Sequence, residues 1–184
     1  MASGLTVLDD KVYTIEDYMR LDDDNRYELI GGKLIMVPRP QWKHQKISGA
    51  LHAQFLNFLN QNPIGEVLWD LDVHLGDKVV RPDVLFIPKK HIEILGESFP
   101  NAAPDLVIEV LSPSSESHDR KTKSKLYFEN GVKEYWVVDP QQKTVEVFTA
   151  GEKNWTWIGV FDQEDVLTTS LLPGLEIRLE DVFT

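Results

Sequence analysis

The stretch Asp105-Leu106-Val107-Ile108-Glu109-Val110-Leu111 decides how this chain is read. Pro104 breaks the chain just before it, and a short, nearly continuous apolar run of this kind is typical of a central strand covered on both faces. Side chains alternate along a strand, so Glu109 shares a face with Val107 and Leu111, while Leu106, Ile108 and Val110 face the other way. A carboxylate in the middle of such a strand is costly to bury unless it is paired or binds a cation. Two readings of Glu109 follow: a buried ion pair with Arg81 or a lysine, or an acid that holds a metal.

The segment after the strand supplies a cation. Ser117 to Glu129 reads as a helix ended by Asn130-Gly131. At about 100° per residue, Lys123 shares the face of Leu126 and Tyr127, the face expected to meet the sheet, while Lys121 and Lys125 point away. Asp119, four residues before Lys123, admits a surface pair worth a few tenths of a kcal/mol. The functional reading sends the Lys123 ammonium toward Glu109 and Asp83, where it could stabilise an attacking hydroxide or a phosphorane-like transition state.

Upstream, Arg81-Pro82-Asp83-Val84 lies in a strand expected over Val79 to Ile87, with Val79, Arg81, Asp83 and Leu85 on one face. The Pro-Asp pair reads either as a strand start or edge, or as a second site acid. Before it, Val67, Trp69, Leu71, Val73 and Leu75 alternate with Asp70, Asp72 and His74, the pattern of a half-buried strand whose acids are solvated. The two strands are separated by a turn at Gly76-Asp77. From His44 to Asn60, Ile47, Leu51, Phe55, Phe58 and Leu59 fall at helical spacing, and His44 is in phase with the buried face. It reads as a satisfied helix-start histidine or as a phosphate contact or proton-transfer group. Arg26 to Ile30 and Lys33 to Val37 flank Gly31-Gly32 as a hairpin. Glu28 on the first arm is either a fourth acid of the site or a solvated strand residue. Thr14 and Asp17 form a capping-box start to a short helix from Ile15 to about Leu21. Glu134 to Val138, Thr144 to Phe148, Trp155 to Phe161 and Leu175 to Leu179 add further strands.

The order is helix, three strands, helix, strand, with extra strands at both ends. This is a layered α/β plan with a mixed sheet. The 184 residues fit one domain, residues 1–184, with its core at about 40–140. With no cysteine, any metal must sit on oxygen or imidazole, which favours Mg²⁺ or Mn²⁺ over structural zinc. No apolar run approaches the roughly 18 residues that span a bilayer, and the N-terminus lacks the look of a signal peptide. A cytoplasmic protein with no membrane partner is therefore expected. The net charge of −11 speaks against constitutive nucleic-acid binding, but not against an enzyme whose acids are neutralised by bound cations.

Taken in order, several blocks resemble the Uma-two family, restriction-endonuclease-like domains of the PD-(D/E)xK superfamily. They are Tyr27-Glu28-Leu29-Ile30-Gly31-Gly32, His44, Arg81-Pro82-Asp83-Val84, Pro104 to Ser114, then Asp119, Lys123, Tyr127, and Gly131 to Pro140. The resemblance spans nearly the whole chain and includes Ser170-Leu171-Leu172-Pro173-Gly174-Leu175. It implies a restriction-endonuclease-like fold and a metal-dependent endonuclease in which Asp83 and Glu109 hold one or two Mg²⁺ or Mn²⁺ ions, with Glu28 as a further ligand. A lysine assists the nucleophile, and His44 contacts the substrate. The substrate would be nucleic acid, with DNA the expected type, bound transiently by a homodimer. The superfamily's lysine two residues after the acid is Leu111 here; in the Uma-two pattern it stands on the next helix, at Lys123. That displacement and the acidic surface keep two alternatives open: a catalytically inactive binding or assembly module, and a metal-dependent hydrolase of small nucleotides.

Overall fold

The structure, a computed structural model, describes residues 5–184. A two-residue strand β1 (Thr6–Val7) and helix α1 (Ile15–Met19) come first. Thr14 Oγ1 accepts the Asp17 amide and the Asp17 carboxylate accepts the Thr14 amide, so the expected capping box forms. Strands β2 (Arg26–Ile30) and β3 (Lys33–Val37) pair across Gly31-Gly32, whose φ values of 58° and 72° give the left-handed turn that two-residue hairpins require. Helix α2 (Trp42–Gln61) then buries Ile47, Leu51, Phe55 and Leu59 along one stripe.

The next two segments depart from the expected pair of long strands. The first divides into β4 (Gly65–Trp69) and β5 (Val73–Leu75), the second into β6 (Lys78–Val80) and β7 (Val84–Pro88). Both break at one level, Asp70 to Asp72 opposite Arg81 to Asp83, and the hairpin crosses from one sheet to another. Strands β5 and β6 complete a five-stranded sheet of order β1-β3-β2-β6-β5, whereas β4 and β7 belong to a six-stranded one. Trp69, expected inside, ends β4 and is half exposed.

A 3-10 segment (Lys89–Leu95) leads to β8 (Leu106–Val110), which is buried throughout. The expected helix from Ser117 contains a π-helical turn, His118–Lys123, before α3 (Ser124–Glu129). Strand β9 (Glu134–Asp139) runs parallel to β8, while β10 (Thr144–Ala150) and β11 (Trp155–Asp162) extend the sheet antiparallel, giving the order β11-β10-β9-β8-β7-β4. This mixed sheet meets the expected α/β class and element order. Strands β12 (Val166–Leu167) and β13 (Ile177–Arg178) pair, and a short helix α4 (Leu179–Val182) follows where only strand was expected.

The large sheet is apolar on both sides. Val84, Phe86, Leu106, Ile108, Val110 and Trp136 pack on α2 and the C-terminal elements. Leu85, Ile87, Val107, Tyr135 and Val137 pack on Leu126 and Tyr127 of α3 and on the small sheet's Val73, Leu75 and Val80. Among the described residues, no helix is long and apolar enough to cross a membrane.

Candidate active site

Asp83 and Glu109 come together because β7 and β8 are neighbours. Val84 pairs with Ile108, so the next step out sets Asp83 opposite Glu109 on one face. Asp83 Oδ2 accepts the Val110 amide at 2.6 Å and sits 3.2 Å from His44 Nε2 at the start of α2.

The hairpin crossing fixes Asp83 from the other side. The Asp70 amide donates to the Asp83 carbonyl at 3.1 Å, and Asp70 has φ of 50°. Arg81 locks this crossing: Nε donates to Asp70 Oδ1 at 2.8 Å, Nη2 to the Asp70 carbonyl at 2.8 Å and Nη1 to Asp72 Oδ1 at 3.0 Å. Arg26 adds two hydrogen bonds to Asp70 at 2.7 and 3.0 Å. Asp70 and Asp72 are thus engaged in ion pairs and are not the solvated strand acids expected. Arg81 is committed to them and does not pair with Glu109.

Lys123 is the partner of Glu109. Its Nζ lies 2.6 Å from Glu109 Oε1, 2.9 Å from Glu28 Oε1 and 3.6 Å from Asp119 Oδ1. All four groups are only 1–4% exposed, so the Asp119–Lys123 pair is buried and not the surface pair that spacing alone allowed. Lys121 is exposed and Lys125 pairs with Glu129 in solvent, as the helical phase requires. Tyr127 donates its hydroxyl to Glu109 Oε1 at 2.5 Å. Glu28 is fully used: Oε1 also accepts the Arg81 amide at 3.2 Å, and Oε2 meets His118 Nε2 at 2.8 Å. Glu28 was expected as a further metal ligand, but its contacts tie both oxygens to groups of this chain. His118 has no counterpart among the expected site residues.

One lysine among four carboxylates leaves the cluster short of positive charge. Burial raises the Glu109 pKa first of all; Lys123 opposes this, Asp119, Asp83 and Glu28 repel, and it stands well above the ordinary value. Asp119 is raised for the same main reason, burial, against the pull of Lys123. Burial also works on Glu28, yet Lys123 and His118 outweigh it and hold it at about 2. Lys123 is stabilised as a cation well beyond its ordinary range: burial opposes the charge, but Glu109 and Glu28 dominate. Burial lowers the His44 pKa, Asp83 more than reverses this, and the imidazole ends above its ordinary value.

The site opens into a cleft of about 640 Å³ lined by Glu28, Asp83, Glu109, His44, His118 and Lys123, with Arg26, Arg39 and Lys43 also in its wall. Asp83 Oδ1 and Glu109 Oε2 take no hydrogen bond among the described residues. Among the described residues, no three His, Asp, Glu or Cys side chains gather there as a ready-made cage. Two unengaged carboxylate oxygens in an acid-rich cleft suit a hard cation that takes few protein ligands and completes its shell with water and substrate phosphate, as Mg²⁺ does. His44 Nδ1 is buried without a partner among the described residues, so this nitrogen is closed off from the cleft.

No curated protein matches the chain. A solved structure with the same fold, a putative nuclease of DUF820 from Anabaena variabilis, is 23% identical and aligns over 92% of this chain and 97% of that one, with a TM-score of 0.76. The Uma2 family model, described as "Putative restriction endonuclease", matches residues 15–180. With Asp83, Glu109 and Lys123 assembled in one cleft and the match running through all of them, the chain belongs to the Uma2 family.

Proposed function

We propose that the chain is a metal-dependent nuclease that hydrolyses phosphodiester bonds. The observation that carries this reading is the pair of free oxygens, Asp83 Oδ1 and Glu109 Oε2, in a cleft beside the buried Lys123 ammonium. Family membership, and the fold shared with the DUF820 protein described as a putative nuclease, support it.

Asp83 and Glu109 would hold Mg²⁺ or Mn²⁺. A divalent ion there supplies Lewis-acid polarisation of a phosphoryl oxygen and a bound water of lowered pKa. Lys123 Nζ is ion-paired with Glu109 at 2.6 Å and Glu28 at 2.9 Å, lies 3.6 Å from Asp119, and donates to the Arg81 carbonyl at 3.5 Å. It orients Glu109 and offsets the charge that builds on the phosphoryl group. His44 Nε2 and the Val110 amide both meet Asp83 Oδ2, at 3.2 and 2.6 Å, and so hold that carboxylate through one oxygen. Glu28 holds Lys123 and His118 in place. Arg39 and Lys43 at the cleft wall supply positive charge for substrate phosphates, whereas Arg26 is paired with Asp70.

Cleavage of mixed DNA and RNA by the purified protein with Mg²⁺, Mn²⁺ or EDTA tests this, alongside Asp83→Asn and Lys123→Ala. Metal-dependent cutting lost in both variants is expected. Cutting that survives both would place the chemistry elsewhere. No cutting and no calorimetric metal binding by the wild type would overturn the reading in favour of a binding module.

A further inference from the structure

Phosphodiester hydrolysis produces a leaving alkoxide that must take up a proton, and the groups around Glu109 restrict what can give it. Lys123 is pinned as a cation by Glu109 and Glu28, which keep its proton far too firmly bound for transfer near neutral pH. Tyr127 is buried and its hydroxyl is spent on Glu109. Two imidazoles remain in the cleft, and imidazole is the side chain whose ordinary proton affinity suits transfer at this pH. His44 is doubly committed, with Nε2 beside Asp83 and Nδ1 buried.

His118 differs at both nitrogens. Its Nε2 is 2.8 Å from Glu28 Oε2, a carboxylate that Lys123 keeps ionised, so Nε2 carries the hydrogen and the ring is oriented. Its Nδ1 makes no hydrogen bond among the described residues, and the ring lines the same cleft as Asp83 and Glu109. A carboxylate that fixes an imidazole through one nitrogen and leaves the other facing the reacting group is a recurrent acid–base arrangement.

We infer that His118 is the general acid of the reaction, giving its Nδ1 proton to the leaving oxygen. This rests on the nuclease reading and assigns a further residue to the same site. A water oxygen forms the new bond to phosphorus, and the phosphorus–oxygen bond to the leaving sugar breaks. The leaving oxygen keeps that electron pair and takes the proton from His118 Nδ1. The attacking water loses its own proton to solvent, and solvent then reprotonates His118. The products are a phosphomonoester and a free hydroxyl. Glu28 acts as a positioning residue that bonds Nε2 throughout.

The test compares an ordinary oligonucleotide with one in which sulfur replaces the bridging oxygen that leaves, at the 3′ or 5′ position identified from the products. A thiolate leaves without protonation, so it needs no acid. His118→Gln puts an amide where Nε2 stood and can still bond Glu28, while His118→Asn keeps a donor near Nδ1 that does not titrate. Both variants should lose about 10²- to 10⁴-fold in kcat on the ordinary substrate, the range of general acid catalysis. Both should cut the sulfur-bridged substrate like the wild type, which also shows that they fold. Equal loss on both substrates, or no loss on the ordinary one, overturns the assignment while leaving the nuclease reading intact. A wild type that cuts neither substrate overturns the nuclease reading itself and the inference with it. Imidazole ¹⁵N spectra give a readout free of turnover: Nδ1 of His118 should shift when thymidine 3′,5′-bisphosphate binds, and an unmoved Nδ1 at saturation counts against contact with the leaving group.

Discussion

Lys123 and His118, five residues apart, share one carboxylate: Glu28 meets Lys123 at 2.9 Å on Oε1 and His118 at 2.8 Å on Oε2. In a regular α-helix five residues span about 500°, which would leave the two side chains roughly 140° apart. The π-helical turn His118–Lys123 bonds i to i+5 and stacks residues five apart, so both reach Glu28. The local distortion therefore builds the site. It also sets what each member of the cluster contributes to stability.

Removing the cation alone should be severe. Lys123→Met leaves Glu28, Glu109 and Asp119 buried without their shared partner, and breaking a buried ion pair from one side costs about 3–5 kcal/mol. For a chain of this size that is on the order of a 10 °C fall in Tm. The sign follows from Glu28. Its folded pKa, about 2, lies below the ordinary 4.5, so its contribution is present above about 4.5 and fades as pH falls toward 2. The gap between wild type and variant, measured by thermal denaturation, should be widest near neutral pH and narrow toward pH 2. A gap that does not change with pH would show that lost packing of the lysine stem, and not lost charge, is responsible.

Neutralising one of the acids should do the reverse. The Asp119 pKa is raised by burial above the ordinary 3.8, so its ionised form is disfavoured in the folded chain. A raised carboxyl contributes stability that is present below the unfolded value and lost as pH rises through the folded one. Asp119→Asn should therefore raise Tm by a few degrees near neutral pH and make little difference below about pH 4. A lower Tm at neutral pH would mean that the Asp119 charge is needed to hold Lys123.

Much of this arrangement was legible in the residues. An acid in the apolar run of β8 had to be paired or ligated, and Lys123, chosen by helical phase, is indeed its partner. The order of elements and the Gly31-Gly32 hairpin followed from periodicity and turn chemistry. What escaped lies where the backbone leaves its regular period. A rotation of 100° per residue puts His118 on the wrong face, because the π turn is set by tertiary contacts that no local pattern announces. Alternation from Val67 to Leu75 continued through Asp70, hiding the crossing between sheets; the left-handed φ there and the bonds to Arg81 come from the partner strand. Glu28 could not be assigned because its partners lie 90 and 95 positions away.

Gly65 marks a close approach on the first strand of the large sheet. A Cβ there would lie 2.4 Å from the Ile87 carbonyl and 2.5 Å from the Phe86 ring. Neither backbone nor a fully buried ring can yield cheaply, so Gly65→Ala should destabilise by about 1–3 kcal/mol as other overpacked substitutions do. Urea denaturation measures this, and an unchanged midpoint would mean that β4 can slide away from β7. Gly31→Ala meets no atom within 4 Å and would feel only its positive φ, so the smaller loss is expected there.

Arg81 is the residue on which the hairpin crossing depends most. Its guanidinium joins two acids and a carbonyl at 2.8–3.0 Å, a fork that a lysine cannot reproduce. Arg81→Lys should cost about 1.5–3 kcal/mol, the worth of a hydrogen bond to a charged group, with Arg26 still holding Asp70. The loss should also be local. The Asp70 amide donates to the Asp83 carbonyl, so a loosened crossing frees the backbone of the residue whose carboxylate faces the cleft. Hydrogen exchange at the Asp70 amide should speed up markedly while β8 amides stay protected, and cleavage should fall by more than the stability change explains. Uniformly faster exchange across the sheet would instead make Arg81 a contributor to global stability with no special hold on Asp83.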